Sequence, residues 1–212
     1  MSKQKYDAVI VLSAGDVETT NKRIEKAREL YNQGLTSFLS FNGFNSKERH
    51  DEGFEGDWQG DFRLKPYIKF IGSLPKKVYE IVYAHTTEQN VYEAKKSARE
   101  RNLNKLAIIS SVTHINNEFL NIKNGGRVPR LFRKFFPNFS RLEFIAVQEP
   151  SGKSRKKRAI RELLSNFLTY LELYNLPRGD GPETDKKIFQ IADHRKLNYY
   201  NKLSNLMNKI SK

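Results

Sequence analysis

The sequence predicts an α/β fold, a doubly wound and mostly parallel sheet of about five strands with helices on both faces. Short apolar runs alternate along the chain with segments whose apolar residues recur at three- and four-residue spacing, and strands that alternate with helices usually pair in parallel. The first apolar run, at residues 7–12, has no polar alternation, which is typical of a strand covered on both faces.

The same patterns give the order of the elements. Gly34 is expected to end the first helix, because glycine easily adopts the left-handed conformation of helix ends. Asn42-Gly43 is expected to turn the chain after the second strand. The elements are strands at 7–12, 36–41, 78–83, 106–110 and 141–148, helices at 17–34, 88–101, 114–122 and 154–173, and a polar, acidic segment at 44–66 that is a loop, a lid or a short helix.

One domain is expected to hold most of the chain. Residues 1–176 contain all the predicted strands and form the α/β domain. Residues 177–212 again place apolar residues at helical spacing, and they are expected to form a helical extension packed on the same body.

Composition excludes several classes of protein and site. The chain has no cysteine, so it has no disulfide, thiolate metal site or cysteine nucleophile. No run approaches the 18 apolar residues of a membrane-spanning helix, so no transmembrane anchor is expected. The expected location is the cytoplasm. The acids at positions 51, 55, 57 and 61 fit no known metal-binding loop, so a solvated acidic lid is favoured over a metal site.

The net charge of +14 is concentrated in one part of the chain, residues 122–161, which we name the basic segment. It holds twelve lysines and arginines against two glutamates, and such asymmetry attracts anions unless it is simply a solvated surface. Nucleic acid, an acidic partner and an anionic membrane surface are the alternatives. The basic residues expected to contact such a partner are Arg130, Arg133, Lys156, Lys157 and Arg158.

Phenylalanines interleave with the cations in the basic segment, and two interpretations are open. Phe132, Phe135, Phe136 and Phe139 stand among arginines and lysines, as aromatic residues do in proteins that bind single-stranded nucleic acid. The first three of them, together with Leu131, also fit one apolar face of a helix that packs into the core, and this second interpretation is the more frequent one.

Polar residues follow each of the first four predicted strands. In open parallel sheets, ligands bind beyond the carboxyl ends of the strands, so these residues are expected to converge on one edge of the sheet. Each has an alternative role in an ordinary turn or as a helix cap. The expected ligand-binding residues are Ser13, Gly15, Arg23, Ser40, Asn42, Gly43, Thr87, Asn90 and Ser111.

Two residues are candidates for acid–base chemistry at this edge. His114 follows the fourth strand, and its near-neutral pKa in water suits a general acid or base. Asp16, after the first strand, is a second candidate base. Arg23 is expected to bind an anionic group of the ligand.

Four short patterns, in matching order over about residues 6–175, resemble those of the SanA/YdcF family, a mainly bacterial α/β domain. In the family, the first helix follows the end of a strand that is similar to Leu12-Ser13-Ala14-Gly15 in this chain. A second strand of the family ends in Ser-Gly-Gly, which is similar to residues 40–43. The family's Asn-Thr-x-Glu-Asn-Ala pattern is similar to residues 86–91, and its Thr-Ser-x-x-His-x-x-Arg pattern to residues 110–117. The helix pattern R-I-x-x-A-x-x-L-Y-x-x-G is present at Arg23, Ile24, Ala27, Leu30, Tyr31 and Gly34.

The resemblance implies a Rossmann-like fold with a ligand at the strand ends, and for some members an adenosine-type ligand such as S-adenosylmethionine. The chain departs from the family at three positions, with Ala14 for a glycine, Gln89 for a glutamate and Asn117 for the arginine after the histidine. If that arginine holds an anion, the nearest basic replacements are Arg127, Arg130 and Arg133.

The sequence supports two hypotheses of function. The first is a soluble enzyme or ligand-binding protein that acts on an anionic small molecule, nucleotide-like or phosphate-bearing, at the carboxyl edge of the sheet; an enzyme would be a hydrolase or transferase. The second is a module that binds nucleic acid or an anionic surface through the basic segment.

Overall fold

The computed structural model describes residues 5–14, 17–43, 65–82, 84, 87–116, 122–136 and 140–149, with the helical residues Lys186 and Gln190; for residues 65–68 it describes the backbone alone. The predicted helix at 154–173 lies outside these residues. So does the predicted C-terminal extension, apart from Lys186 and Gln190. The proposed division at residue 176 therefore stays a prediction.

Strands and helices alternate as predicted. In chain order the described elements are β1 (Ala8–Leu12), α1 (Val17–Asn32), β2 (Leu39–Asn42), α2 (Lys65–Ser73), a 3-10 turn (Lys76–Val78), β3 (Tyr79–Val82), α3 (Thr87–Glu100), β4 (Lys105–Ser111), the short helix α4 (Val112–Ile115), α5 (Arg127–Phe135) and β5 (Arg141–Val147).

The five strands form one sheet in the order β3-β2-β1-β4-β5, and every neighbouring pair is parallel. The chain winds outward from β1 through β2 to β3, then crosses back to β4 and continues to β5. The direction of winding therefore changes between β1 and β4, and this is the switch point of the fold. The predicted Rossmann-like, doubly wound fold is confirmed.

Helices cover both faces of the sheet, as predicted. On one face, α1 and α2 pack on alternate strand residues such as Val9, Val11 and Phe41. On the other face, α3 and α5 pack on the intervening residues, among them Ile10 and Leu12. All five residues of β1 are buried, because this strand lies at the centre of the sheet between two layers of helices.

Some boundaries differ from the prediction. The helix expected at 114–122 is a single turn that begins at Val112, directly after β4, and Asn116 closes it with a backbone hydrogen bond to the Val112 carbonyl oxygen. Strand β2 runs one residue further than expected, so Asn42 pairs within the sheet and Gly43, with φ of 81°, follows it. Helix α2, at Lys65–Ser73, was not predicted; Pro66 lies in its first turn, where a missing N–H is harmless.

Candidate functional site

The carboxyl ends of β1, β2 and β3 are joined by backbone hydrogen bonds. The Ser13 N–H donates to the Asn42 carbonyl oxygen at 2.8 Å, and the Gly43 N–H donates to the Val82 carbonyl oxygen at 2.8 Å. A Cβ at Gly43 would lie within 3.0 Å of Ser13 Oγ and 3.1 Å from the Ala84 carbonyl oxygen. Glycine is therefore required at position 43, both for its positive φ and for the close approach of Ser13.

Arg23 of α1 lies beneath the switch point and contacts both strands that flank it. Its Nη1 donates to the carbonyl oxygens of Leu12 at 2.6 Å and Ser13 at 2.7 Å, and its Nη2 donates to Ser111 Oγ. Arg23 and Ser111 are buried, at 0% and 1% exposure. The structure shows that they link the ends of β1 and β4, and their expected contact with a ligand stays a prediction.

His114 lies at the end of β4 beside a buried serine. Its Nδ1 is 3.3 Å from Ser110 Oγ, and the direction of this hydrogen bond depends on the tautomer of the imidazole. The His114 ring is partly exposed, whereas Ser110 is fully buried. Ser110 is therefore placed to orient the ring, and His114 is the more accessible member of the pair.

A buried carboxylate contacts Thr113, the residue that precedes His114. Thr113 Oγ1 donates to Glu149 Oε2 at 2.6 Å, and both residues are buried. Glu149 follows β5, so the bond joins the ends of β4 and β5. Sequence analysis missed Glu149 because it considered the ends of only the first four strands; the same rule applied to the fifth strand would have found it.

Ser40 and Asn42 belong to a buried network between β2, β3 and α3. Ser40 Oγ lies 2.7 Å from both Asn42 Oδ1 and Glu80 Oε1, and Ser97 Oγ donates to Glu80 Oε1 at 2.5 Å. Asn42 Nδ2 donates to the Asn90 carbonyl oxygen at 3.1 Å. The network fixes α3 against the sheet, so these two predicted ligand-binding residues position the first turn of α3.

The first turn of α3 carries two more of the predicted ligand-binding residues, Thr87 and Asn90. Thr87 begins the helix and is partly exposed. Asn90 is 8% exposed, and its buried Oδ1 has no hydrogen-bond partner among the described residues. A buried amide oxygen normally accepts a hydrogen bond, so an oxygen without one is unusual in a folded protein.

A buried ion pair joins the first turns of α3 and α5. Arg127 Nη2 lies 2.5 Å and 2.7 Å from the two carboxylate oxygens of Glu88, and Arg127 Nε donates to Oε1 at 3.2 Å. Their side chains are 4% and 2% exposed. Sequence analysis named Arg127 as a replacement for the family's arginine but missed this pairing, because the partners are separated by 39 positions.

The phenylalanines of the basic segment lie in the core. Phe132, Phe135 and Phe136 are at most 2% exposed and pack with Leu131 on the sheet face that α3 also covers. The proposed stacking of these three rings on nucleic-acid bases is therefore wrong, because the rings are not accessible, and the interpretation as a core helix face is confirmed.

The basic residues of α5 lie nearer the surface. Arg133 is exposed, and its Nη1 donates to the Asn124 carbonyl oxygen at 3.2 Å. Its Cζ lies 5.4 Å from the centroid of the Phe144 ring. Arg130 is partly exposed. The other predicted basic contacts, Lys156, Lys157 and Arg158, lie outside the described residues, as do Gly15 and Asp16.

Within the described part of the chain, no three histidine, aspartate or glutamate side chains are grouped so that they could hold a metal ion. Among the same residues, no helix has both the length and the apolar character needed to cross a membrane.

Comparison with known proteins returned no match, either to a protein-family model or to a curated protein. The resemblance to the SanA/YdcF family therefore stays a prediction that rests on the four sequence patterns. The geometry of the strand ends is independent of that resemblance.

Proposed function

We propose that the chain binds an anionic, nucleotide-like small molecule at the carboxyl edge of the sheet, in the crevice between β1 and β4. The observation that supports this proposal is the 3-2-1-4-5 strand order, because its switch point lies between β1, which Ser13 follows, and β4, which Thr113 and His114 follow. Open α/β sheets bind their ligands at that point.

Two further features support a bound small molecule at this edge. The first-turn N–H groups of α3 face the same edge as the strand ends, and the N-terminus of a helix favours negative charge. The close approach of Gly43 to Ser13 and the Ser13–Asn42 hydrogen bond also hold the ends of β1 and β2 together, so this edge is formed before a ligand binds.

We propose further that His114 acts as general acid or base on this ligand, in a hydrolase or a transferase. It is partly exposed beside the crevice, and Ser110 is in position to hold its ring. General acid–base residues need such an orienting contact in addition to a suitable pKa.

The first experiment identifies the ligand. Native mass spectrometry of the gently purified full chain should show a bound species, and denaturation should release a nucleotide or another phosphate-bearing molecule of the same mass. A chain that carries nothing and shows no thermal shift with any member of a nucleotide panel would contradict the proposal.

The second experiment locates the site with a matched pair of threonines. Thr87→Val, at the carboxyl edge, should weaken binding of the identified nucleotide at least fivefold, whereas Thr36→Val should not. Thr36 is buried at the opposite edge, where it bonds the Phe38 carbonyl oxygen. Equal effects of the two substitutions would place the ligand elsewhere. Binding to a nucleic-acid backbone, in contrast, would weaken steeply with added salt.

A further inference from the structure

The buried amide oxygen of Asn90 constrains what the ligand at this edge must offer. Asn90 lies in the first turn of α3, is more than nine-tenths buried and has an Oδ1 that accepts no hydrogen bond from any described residue. Leaving such an oxygen unsatisfied is costly, and native proteins keep it where something else, often a ligand, supplies the donor.

Helix geometry directs this oxygen towards the carboxyl edge of the sheet. The Cα–Cβ bonds of a helix tilt towards its N-terminus, so the Asn90 side chain leans towards the first turn of α3. Asn42, the last residue of β2, holds the Asn90 backbone carbonyl at 3.1 Å. Asn90 therefore lies close to the end of β2, and its side chain leans towards the carboxyl edge of the sheet.

The start of α3 combines a positive potential with a hydrogen-bond acceptor. The N-terminal end of a helix carries a partial positive charge, which favours an anionic group. The Asn90 oxygen has the opposite preference, because it repels phosphate oxygens and attracts a hydroxyl or an amino group. A ligand that matches both must carry an anionic part and a hydrogen-bond donor close to each other.

We infer that Asn90 Oδ1 accepts a hydrogen bond from a hydroxyl or amino group of the ligand, while the first turn of α3 holds the ligand's anionic group. The inference rests on the proposed function and narrows it, since inorganic phosphate and simple phosphoesters without a donor do not satisfy the site. Nucleotides do, through the ribose hydroxyls or the amino group of the base.

The binding test uses adenosine monophosphate and two analogues, one without the ribose 2′- and 3′-hydroxyls and one without the purine amino group. Calorimetry with the full chain should show a loss of about tenfold or more for one analogue, the usual penalty where a buried polar group loses its partner. Asn90→Leu should remove this preference, and Asn90→Asp, which keeps an acceptor, should retain it. A preference that survives in Asn90→Leu would overturn the inference.

A second measurement needs no ligand. If Oδ1 is unsatisfied in the free chain, Asn90→Leu, of similar size, should melt at the same temperature as the parent or higher. A melting temperature several degrees lower would show that the amide is satisfied within the protein, and the inference would fail while the proposed function stood. Absence of nucleotide binding to a parent chain, with a stable Asn90→Leu variant, would instead refute the proposed function, and the inference with it.

Discussion

Replacement of Arg127 by methionine should lower the free energy of unfolding by about 3–5 kcal/mol, because the Glu88 carboxylate then stays buried without the guanidinium. Water cannot replace the lost partner, since the Glu88 side chain is 2% exposed. The substitution removes three contacts of 2.5 Å, 2.7 Å and 3.2 Å together. Methionine keeps the apolar stem, so the change reports mainly on the charge.

Urea unfolding of the full chain at pH 7, followed by circular dichroism, measures this loss. The exposed pair Lys22–Glu18 provides the control: its nitrogen and oxygen are 2.9 Å apart, but the side chains are 40% and 60% exposed. Lys22→Met should therefore cost less than about 0.5 kcal/mol.

A double substitution tests the reason for the effect. Glu88→Leu with Arg127→Met removes both charges and should recover most of the loss, because no uncompensated charge remains in the core. An Arg127→Met variant that loses less than about 1 kcal/mol, or a double variant no more stable than the single one, would refute the reasoning.

Three other predictions concern the site and the surface of α3. Gly43→Ala should destabilise the chain by about 2 kcal/mol or more in thermal unfolding, because alanine at φ of 81° is strained and its Cβ meets Ser13 Oγ. If the chain is an enzyme, His114→Ala should cut turnover about a hundredfold, and Ser110→Ala should shift the pH–rate profile with a smaller loss; an unchanged profile in both would make the pair structural. Burial raises the pKa of the Glu93 carboxyl above its ordinary value, so the charged form opposes folding at neutral pH. Glu93→Gln should therefore raise Tm at pH 7 and leave it unchanged below about pH 4, where the unfolded carboxyl is protonated too.

Local patterns predicted the elements well where a residue's own chemistry decides its conformation. Residues 7–12 read as a fully covered strand, and all five residues of β1 are buried. Gly34 was expected to end the first helix, and α1 stops at Asn32 with Gly34 at φ of 67°. In both cases the determining property, apolar continuity or freedom of φ, belongs to the segment itself.

Properties that depend on distant partners were not predictable in this way. Patterns of apolar residues predicted parallel pairing but not the order of the strands, since the order depends on which helix crosses which face. Glu88 and Arg127 read separately as a first-turn acid and a member of a basic run, and only the packing of α3 on α5 brings them together. The same holds for Thr113 and Glu149, which only the adjacent ends of β4 and β5 make partners.

The Arg23 hydrogen bonds have a consequence for how the protein could change its specificity. Because one buried guanidinium contacts the carbonyl oxygens at the end of β1 and the hydroxyl at the end of β4, the width of the crevice floor is set by the interior of the protein. A floor that is rigid before any molecule arrives lowers the entropic cost of binding. If the proposed ligand binds at this edge, substitutions in the residues that contact it could change its identity without altering the spacing of the two strands.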